Sequence, residues 1–188
     1  MVIQMSVNRG KQFEKKIRQA FEKIPGVSID RVTDQTTKYL GSTNICDFIV
    51  YKKPYEYYIE CKSVHGNTLS IYSIPKPDKN GVLHGFYGNI SDAQWEGLLE
   101  KSKIEGVVAG VICWWINKDV TKFIPIQALQ WLRNAYQKKS IRYDIDNYVP
   151  YGLIDHFDLI DIVGEKKRVY FDYNMEDFFE KIVTSKIN

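Results

Sequence analysis

The chain has 188 residues, 44% hydrophobic and 26% charged, which fits a soluble globular protein of one domain with a substantial core. Its apolar runs fall short of the roughly 18 residues a membrane span needs, and the N-terminus lacks a signal-peptide pattern. Cys46, Cys61 and Cys113 show no disulfide or zinc-site spacing, so a reducing, cytoplasmic setting is expected, and the net charge of +3 points only weakly to a polyanionic partner.

Phe13, Ile17, Ala20, Phe21 and Ile24 recur at helical spacing, which predicts an amphipathic helix from about 9 to 24, stopped by Pro25-Gly26. Its polar face carries Lys11, Lys15, Lys16, Arg18 and Lys23. Val27–Val32 reads as a strand and Thr33–Asn44 as a loop or projecting segment. Ile45–Tyr51 and Tyr55–Lys62 are β-rich runs around Lys52-Lys53-Pro54, the pattern of a hairpin. The stretch 63–89 is long for a connection and rich in Gly and Pro. Ser91 opens a helix to about Lys103, with Ser91-x-x-Gln94 as a capping box and Ile90 with Trp95 as its staple. Val107–Ile116 reads as a buried strand, Lys122–Ile124 as a short strand, and Pro125 introduces a helix to about Lys138. A second basic cluster, Lys138, Lys139 and Arg142, follows it. Both clusters suit phosphate contacts, although solvated helix faces would look the same. The segments Asp155–Val163 and Arg168–Tyr173 carry no clear periodicity, and Met175, Phe178, Phe179 and Ile182 repeat at helical spacing. The whole reads as one α/β domain over 1–188, with 164–188 an extension packed on the domain or on a partner chain.

The chemistry lies in the hairpin. Glu60 and Lys62 are two apart on a strand and project from one face. A turn centred between Lys53 and Pro54 sets Asp47 opposite Glu60, with Cβ atoms about 5 Å apart. Two carboxylates that close repel, and a hard divalent cation relieves them. Mg²⁺ suits two carboxylates plus a carbonyl, for which Cys61 is the candidate. Such a cation activates water and stabilises charge on a scissile phosphate, while Lys62 would orient the water or stabilise the transition state. A same-face salt bridge and a glycosidase-type carboxylate pair are the competing readings of these residues. Glu14, at the border of the first helix's apolar face, is a further candidate ligand; pairing with Arg18 at i, i+4 is its structural alternative. Gln94 is divided between capping and the metal, two roles that its amide is not expected to fill together.

Together these residues resemble the RecU-type Holliday junction resolvases, nucleases of the PD-(D/E)xK type. Asn8-Arg9-Gly10-x-x-Phe13-Glu14 looks like that family's opening helix, and Asp47 with Glu60-x-Lys62 matches its catalytic carboxylates and lysine. Gln94 matches a glutamine near its metal, and Lys139-Ser140-Ile141-Arg142 with Pro150 and Gly152 resembles its C-terminal region. The likeness covers roughly residues 8 to 163. It implies a restriction-endonuclease-like core, with a mixed central β-sheet flanked by helices and a stalk near 30–43. It also implies a homodimer that nicks four-way DNA junctions symmetrically with Mg²⁺, or Mn²⁺ in its place, and takes no small-molecule substrate. Asp47, Glu60, the Cys61 carbonyl and Gln94 would form the metal site, with Glu14 a further member. Arg9, Lys11, Lys15, Arg31, Lys38, Lys139 and Arg142 would contact DNA.

The sequence departs from that family in three places. Ile45 stands where the family has a metal-site threonine. The connection from Lys62 to Gln94 is longer, enough for a DNA-contacting flap with Tyr72, Lys76, Lys79, His84, Phe86 and Tyr87. The residues beyond Gly164 have no counterpart. A nuclease of the same type acting on other DNA, and a DNA-binding protein without catalysis, are the alternatives.

Overall fold

The computed structural model describes residues 8–32, 44–71, 76–77, 79–84, 88–135, 137–144, 159–166 and 171–187. Helix α1 (Arg9–Glu22) starts where Asn8 caps it, its side chain accepting from the Lys11 N–H at 3.2 Å. Phe13, Ile17, Ala20 and Phe21 form its buried stripe. Strand β1 (Ser28–Arg31) pairs antiparallel with β2 (Phe48–Lys52), and β2 with β3 (Tyr55–Val64). The β2–β3 register runs from Lys52↔Tyr55 to Phe48↔Ile59, so the turn is centred where the sequence placed it.

Strand β3 has 10 residues and β2 has 5, so β3 outruns its neighbour. On its other side β3 pairs parallel with β7 (Val107–Trp115) along Glu56↔Val107 to Val64↔Trp115. The connection between them carries α2 (Asp92–Ser102), as a parallel pairing requires a crossover. Strands β8 (Val120–Pro125) and β10 (Ile160–Asp161) add antiparallel neighbours, completing a mixed sheet in the order β1-β2-β3-β7-β8-β10.

Each face of this sheet carries its own apolar layer. Tyr58, Val64, Val111 and Cys113 pack with Trp95 and Leu98 of α2 and with Leu129 and Leu132 of α3 (Ile126–Ala135). Tyr57, Ile59, Cys61 and Ile112 pack with α1 and with Phe178, Phe179 and Ile182 of α4 (Glu176–Ile187). The C-terminal helix therefore covers its own sheet, and Phe178 meets Phe123 edge-on at 5.2 Å between ring centroids. Among the described residues the helices number four, two on each face. This is the mixed sheet flanked by helices anticipated from the sequence.

The long connection after β3 has structure of its own. Strand β4 (Thr68–Ser70) pairs with β9 (Ser140–Arg142), and β5 (Lys76–Pro77) with β6 (Leu83–His84). A last ribbon joins β11 (Gly164–Lys166) and β12 (Phe171–Tyr173), and the Tyr173 hydroxyl meets that of Thr121 at 3.2 Å. Most of the stalk segment, 33–43, lies outside the described residues, as do Pro150 and Gly152. Of the part that is described, Asp30 and Arg31 belong to β1, and Val32 follows it with its N–H donating to the Asp47 carbonyl at 2.9 Å.

Candidate active site

Alternation along β3 decides which side chains face which layer. Tyr57, Ile59 and Cys61 point to the α1 and α4 side, so Glu60 and Lys62 share the α2 side with Tyr58 and Val64. Asp47 sits just beyond β2 and stays tied to β3 through two bonds. Its N–H donates to the Ile59 carbonyl at 3.0 Å, and its Oδ2 accepts from the Cys61 N–H at 2.7 Å. Because the N–H and C=O of one strand residue point the same way, the Cys61 carbonyl is directed to the edge that Asp47 occupies.

Glu60 is 2% exposed. Its Oε1 accepts from Lys62 Nζ and from Gln94 Nε2, both at 2.6 Å. Its Oε2 is buried and meets no hydrogen-bond donor among the described residues. Burial foremost, together with the charge of Asp47, pushes its pKa up to about 7 against the pull of Lys62. Burial also raises Asp47, with the Cys61 N–H and the Lys62 and Arg31 charges opposing. A buried carboxylate oxygen without a donor, beside a second carboxylate, is costly unless a cation is shared between them. The donor set, two carboxylates and a peptide carbonyl, is made of hard oxygens and fits Mg²⁺ or Mn²⁺.

No protein-family model matches this sequence, and no curated protein matches it. Among solved structures, the chain is similar to Hjc, a Holliday junction resolvase from the archaeal hyperthermophile Archaeoglobus fulgidus. The identity is 18%, the likeness covers 74% of this chain and 93% of that one, and the TM-score is 0.48.

Gln94 departs from expectation. Its Oε1 accepts from the Ser91 N–H at 3.1 Å, closing the capping box, and from Lys62 Nζ at 3.3 Å, while its Nε2 holds Glu60. Capping and the hold on Glu60 and Lys62 thus coexist, because the start of α2 lies directly over β3. Both lone pairs of the amide oxygen are engaged, so in this arrangement Gln94 braces Glu60 and Lys62.

Glu14 also departs. It pairs not with Arg18, which binds Glu22 at 2.8 Å, but with Arg31 of β1 at 3.4 Å. Burial and the nearby Asp47 raise its pKa, so it senses the site electrostatically from the α1 side. Among the described residues no group of three or more His, Cys, Asp or Glu side chains converges, and Glu14 does not join Asp47 and Glu60 as a third carboxylate. The Glu60–Lys62 salt bridge is present, but it leaves Oε2 unsatisfied.

Arg9, Lys11 and Lys15 are exposed along α1. The start of that helix lies near the catalytic strand, since a Cβ at Gly10 would stand 3.7 Å from Ser63 Oγ. Sequence reasoning read Asn8-Arg9-Gly10 only as a motif; an Asn before an apolar-periodic segment is also a cap signal, and the structure uses it so. Lys139 and Arg142 line a cavity of about 320 Å³ with Lys138, Gln137, Thr68 and Leu132. Arg142 pairs with Asp144 at 3.1 Å and lies over the Tyr143 ring. Lys38, Tyr72, Phe86 and Tyr87 lie outside the described residues, as do the side chains of Lys76 and His84, while Lys79 is exposed. Among the described residues no helix is long and apolar enough to cross a membrane.

Proposed function

We propose that this chain is a divalent-metal-dependent DNA endonuclease that acts on four-way junctions as a homodimer. The observation that carries the metal-dependent reading is the Glu60 Oε2 atom, buried beside Asp47 without a donor. Asp47, Glu60 and the Cys61 carbonyl would hold the ion. When bound, Mg²⁺ or Mn²⁺ supplies an activated water and neutralises charge on the scissile phosphate. Lys62, partly open to solvent, would place its ammonium on the attacking water or on the pentavalent phosphate. Gln94 keeps Lys62 and Glu60 in register while it caps α2.

The DNA reading rests on charge and on the motif likeness. Exposed Arg9, Lys11 and Lys15 stand at the α1 end close to β3, and Arg31 lies beside Glu14. The cavity bounded by Lys138, Lys139 and Arg142 lies on the ribbon that directly continues β3, where a strand leaving the site could be held by its phosphates. Junction choice and dimerisation follow from the RecU-like motifs: a two-fold dimer presents two sites to a substrate that is itself nearly two-fold. The test uses synthetic four-way junctions, linear duplexes and flaps with Mg²⁺, Mn²⁺ or EDTA. Paired nicks confined to junctions and abolished by EDTA support the proposal. Equal cutting of linear duplex would move the chain to another DNA substrate, and binding without cutting would end the nuclease reading.

A further inference from the structure

Helix α2 approaches the catalytic strands unusually closely at one point. A Cβ built at Gly97 would lie 2.3 Å from Ile45 Cγ2 and 2.6 Å from Ile45 Cβ, so no side chain fits there unless the helix moves. A glycine inside a helix weakens it and calls for a packing reason. Here the reason is Ile45, two residues before Asp47 and packed against the α2-side layer. Gly97 lies one turn after Gln94, on the same helix face. The hydrogen bonds of Gln94 to Glu60 and Lys62, at 2.6 and 3.3 Å, tolerate little displacement of that helix.

We infer that Ile45 and Gly97 are positioning residues of the active site, a knob and a gap that fix the height of α2 and so deliver Gln94 to Glu60 and Lys62. The functional consequence rests on the nuclease reading; the contact itself does not. This gives Ile45 a task at the position where the resemblance implies a metal-site threonine. Its side chain has no ligand atom, and it contributes by holding the brace.

The experiment uses the full chain with Gly97→Ala, Ile45→Gly, and Gly97→Ala combined with Ile45→Ala or with Ile45→Gly. Each protein is measured for melting temperature, Mn²⁺ affinity by calorimetry, junction Kd in EDTA, and kcat and KM. Gly97→Ala should lower kcat by about 10–100-fold, as an ångström-scale misplacement does, and weaken Mn²⁺ binding while junction Kd in EDTA stays unchanged. Ile45→Gly alone should also lower kcat, because the gap has lost its knob, and combining it with Gly97→Ala should recover part of the Gly97→Ala loss, because it removes the Ile45 atoms nearest the new methyl. Ile45→Ala should recover less, since its own Cβ remains 2.6 Å away. In a Gln94→Ala background, Gly97→Ala should cause little further loss of kcat, because the residue through which it acts is already absent.

Full kcat and Mn²⁺ affinity in Gly97→Ala or in Ile45→Gly would overturn the inference, as would failure of the double variant to recover any of the Gly97→Ala loss, or full additivity with Gln94→Ala. A wild-type chain that neither binds Mn²⁺ nor cuts junctions would defeat the nuclease reading instead. The contact would still be tested by melting temperature: Gly97→Ala and Ile45→Gly should each lower it, and the double variant should lose less than the sum of the two.

Discussion

Glu60→Gln offers a direct measure of the tension stored at the site. In the metal-free protein the carboxyl titrates at about 7, against 4.5 for an ordinary glutamate. A carboxyl whose pKa is raised by folding favours the folded state fully only while protonated in both states. Its contribution is intact below about pH 4.5 and is lost as pH rises through 7. That gap corresponds to about 3 kcal/mol at pH 8, an upper figure because Asp47 titrates alongside. Glutamine stays neutral and keeps an oxygen for Lys62 and Gln94. In EDTA the variant should therefore match the wild type at pH 4.5 and exceed it at pH 8 by up to about 3 kcal/mol, or roughly 6–12 °C in Tm for a chain of this size. Thermal unfolding across pH 4–8 reads this directly. Adding Mn²⁺ should then stabilise the wild type and leave the variant unchanged. Parallel stability curves for the two proteins, or a variant less stable at every pH, would show that Glu60 is not held as a strained carboxylate.

Asp47→Asn should abolish cleavage yet leave junction binding and its salt dependence intact, checked by gel shift in EDTA, because binding rests on phosphate charge. Lys62→Ala should lower kcat by about 10²–10³-fold with Mn²⁺ affinity nearly unchanged in calorimetry, if the ammonium acts on the transition state. Gln94→Ala should lose about 1 kcal/mol of stability from the cap and, in the same protein, lose turnover; a stability loss with full activity would make it a cap alone. Lys139→Ala with Arg142→Ala should weaken junction binding and lower the slope of log K against log salt by up to about 2, while single-turnover kcat at saturating protein holds.

The parts most legible in the sequence were those specified locally. The turn at Lys52-Lys53-Pro54 between two β-rich runs gave the hairpin register, while Asp47, expected directly across from Glu60, lies past the last paired residues with its N–H on the Ile59 carbonyl. Ser91-x-x-Gln94 gave the start of α2, and the run from Val107 gave the buried strand. The losses lie where distant elements compete for one side chain. Gln94 satisfies its cap and the strand beneath because tertiary packing brings the two within one amide's span. Arg18 takes Glu22 at the helix surface, which leaves Glu14 for Arg31, seventeen residues away. Ile45 read as a departure from a motif, and its meaning depends on Gly97 across the gap. That 164–187 closes the second face could be suspected from Phe178, Phe179 and Ile182, but not located, since periodicity names a face and not its partner.

The unequal lengths of β2 and β3 have a consequence for who can approach this sheet. Past Phe48, β3 has no strand partner on that side among the described residues, the kind of rim along which another strand could pair. Asp47 closes that rim by lending a side-chain oxygen to the Cys61 N–H where a peptide carbonyl would ordinarily lie. The interruption thus occupies the very N–H on which an incoming strand would have to anchor, and it leaves Asp47 bound to β3 by its side chain where a ladder would have bound it by its backbone.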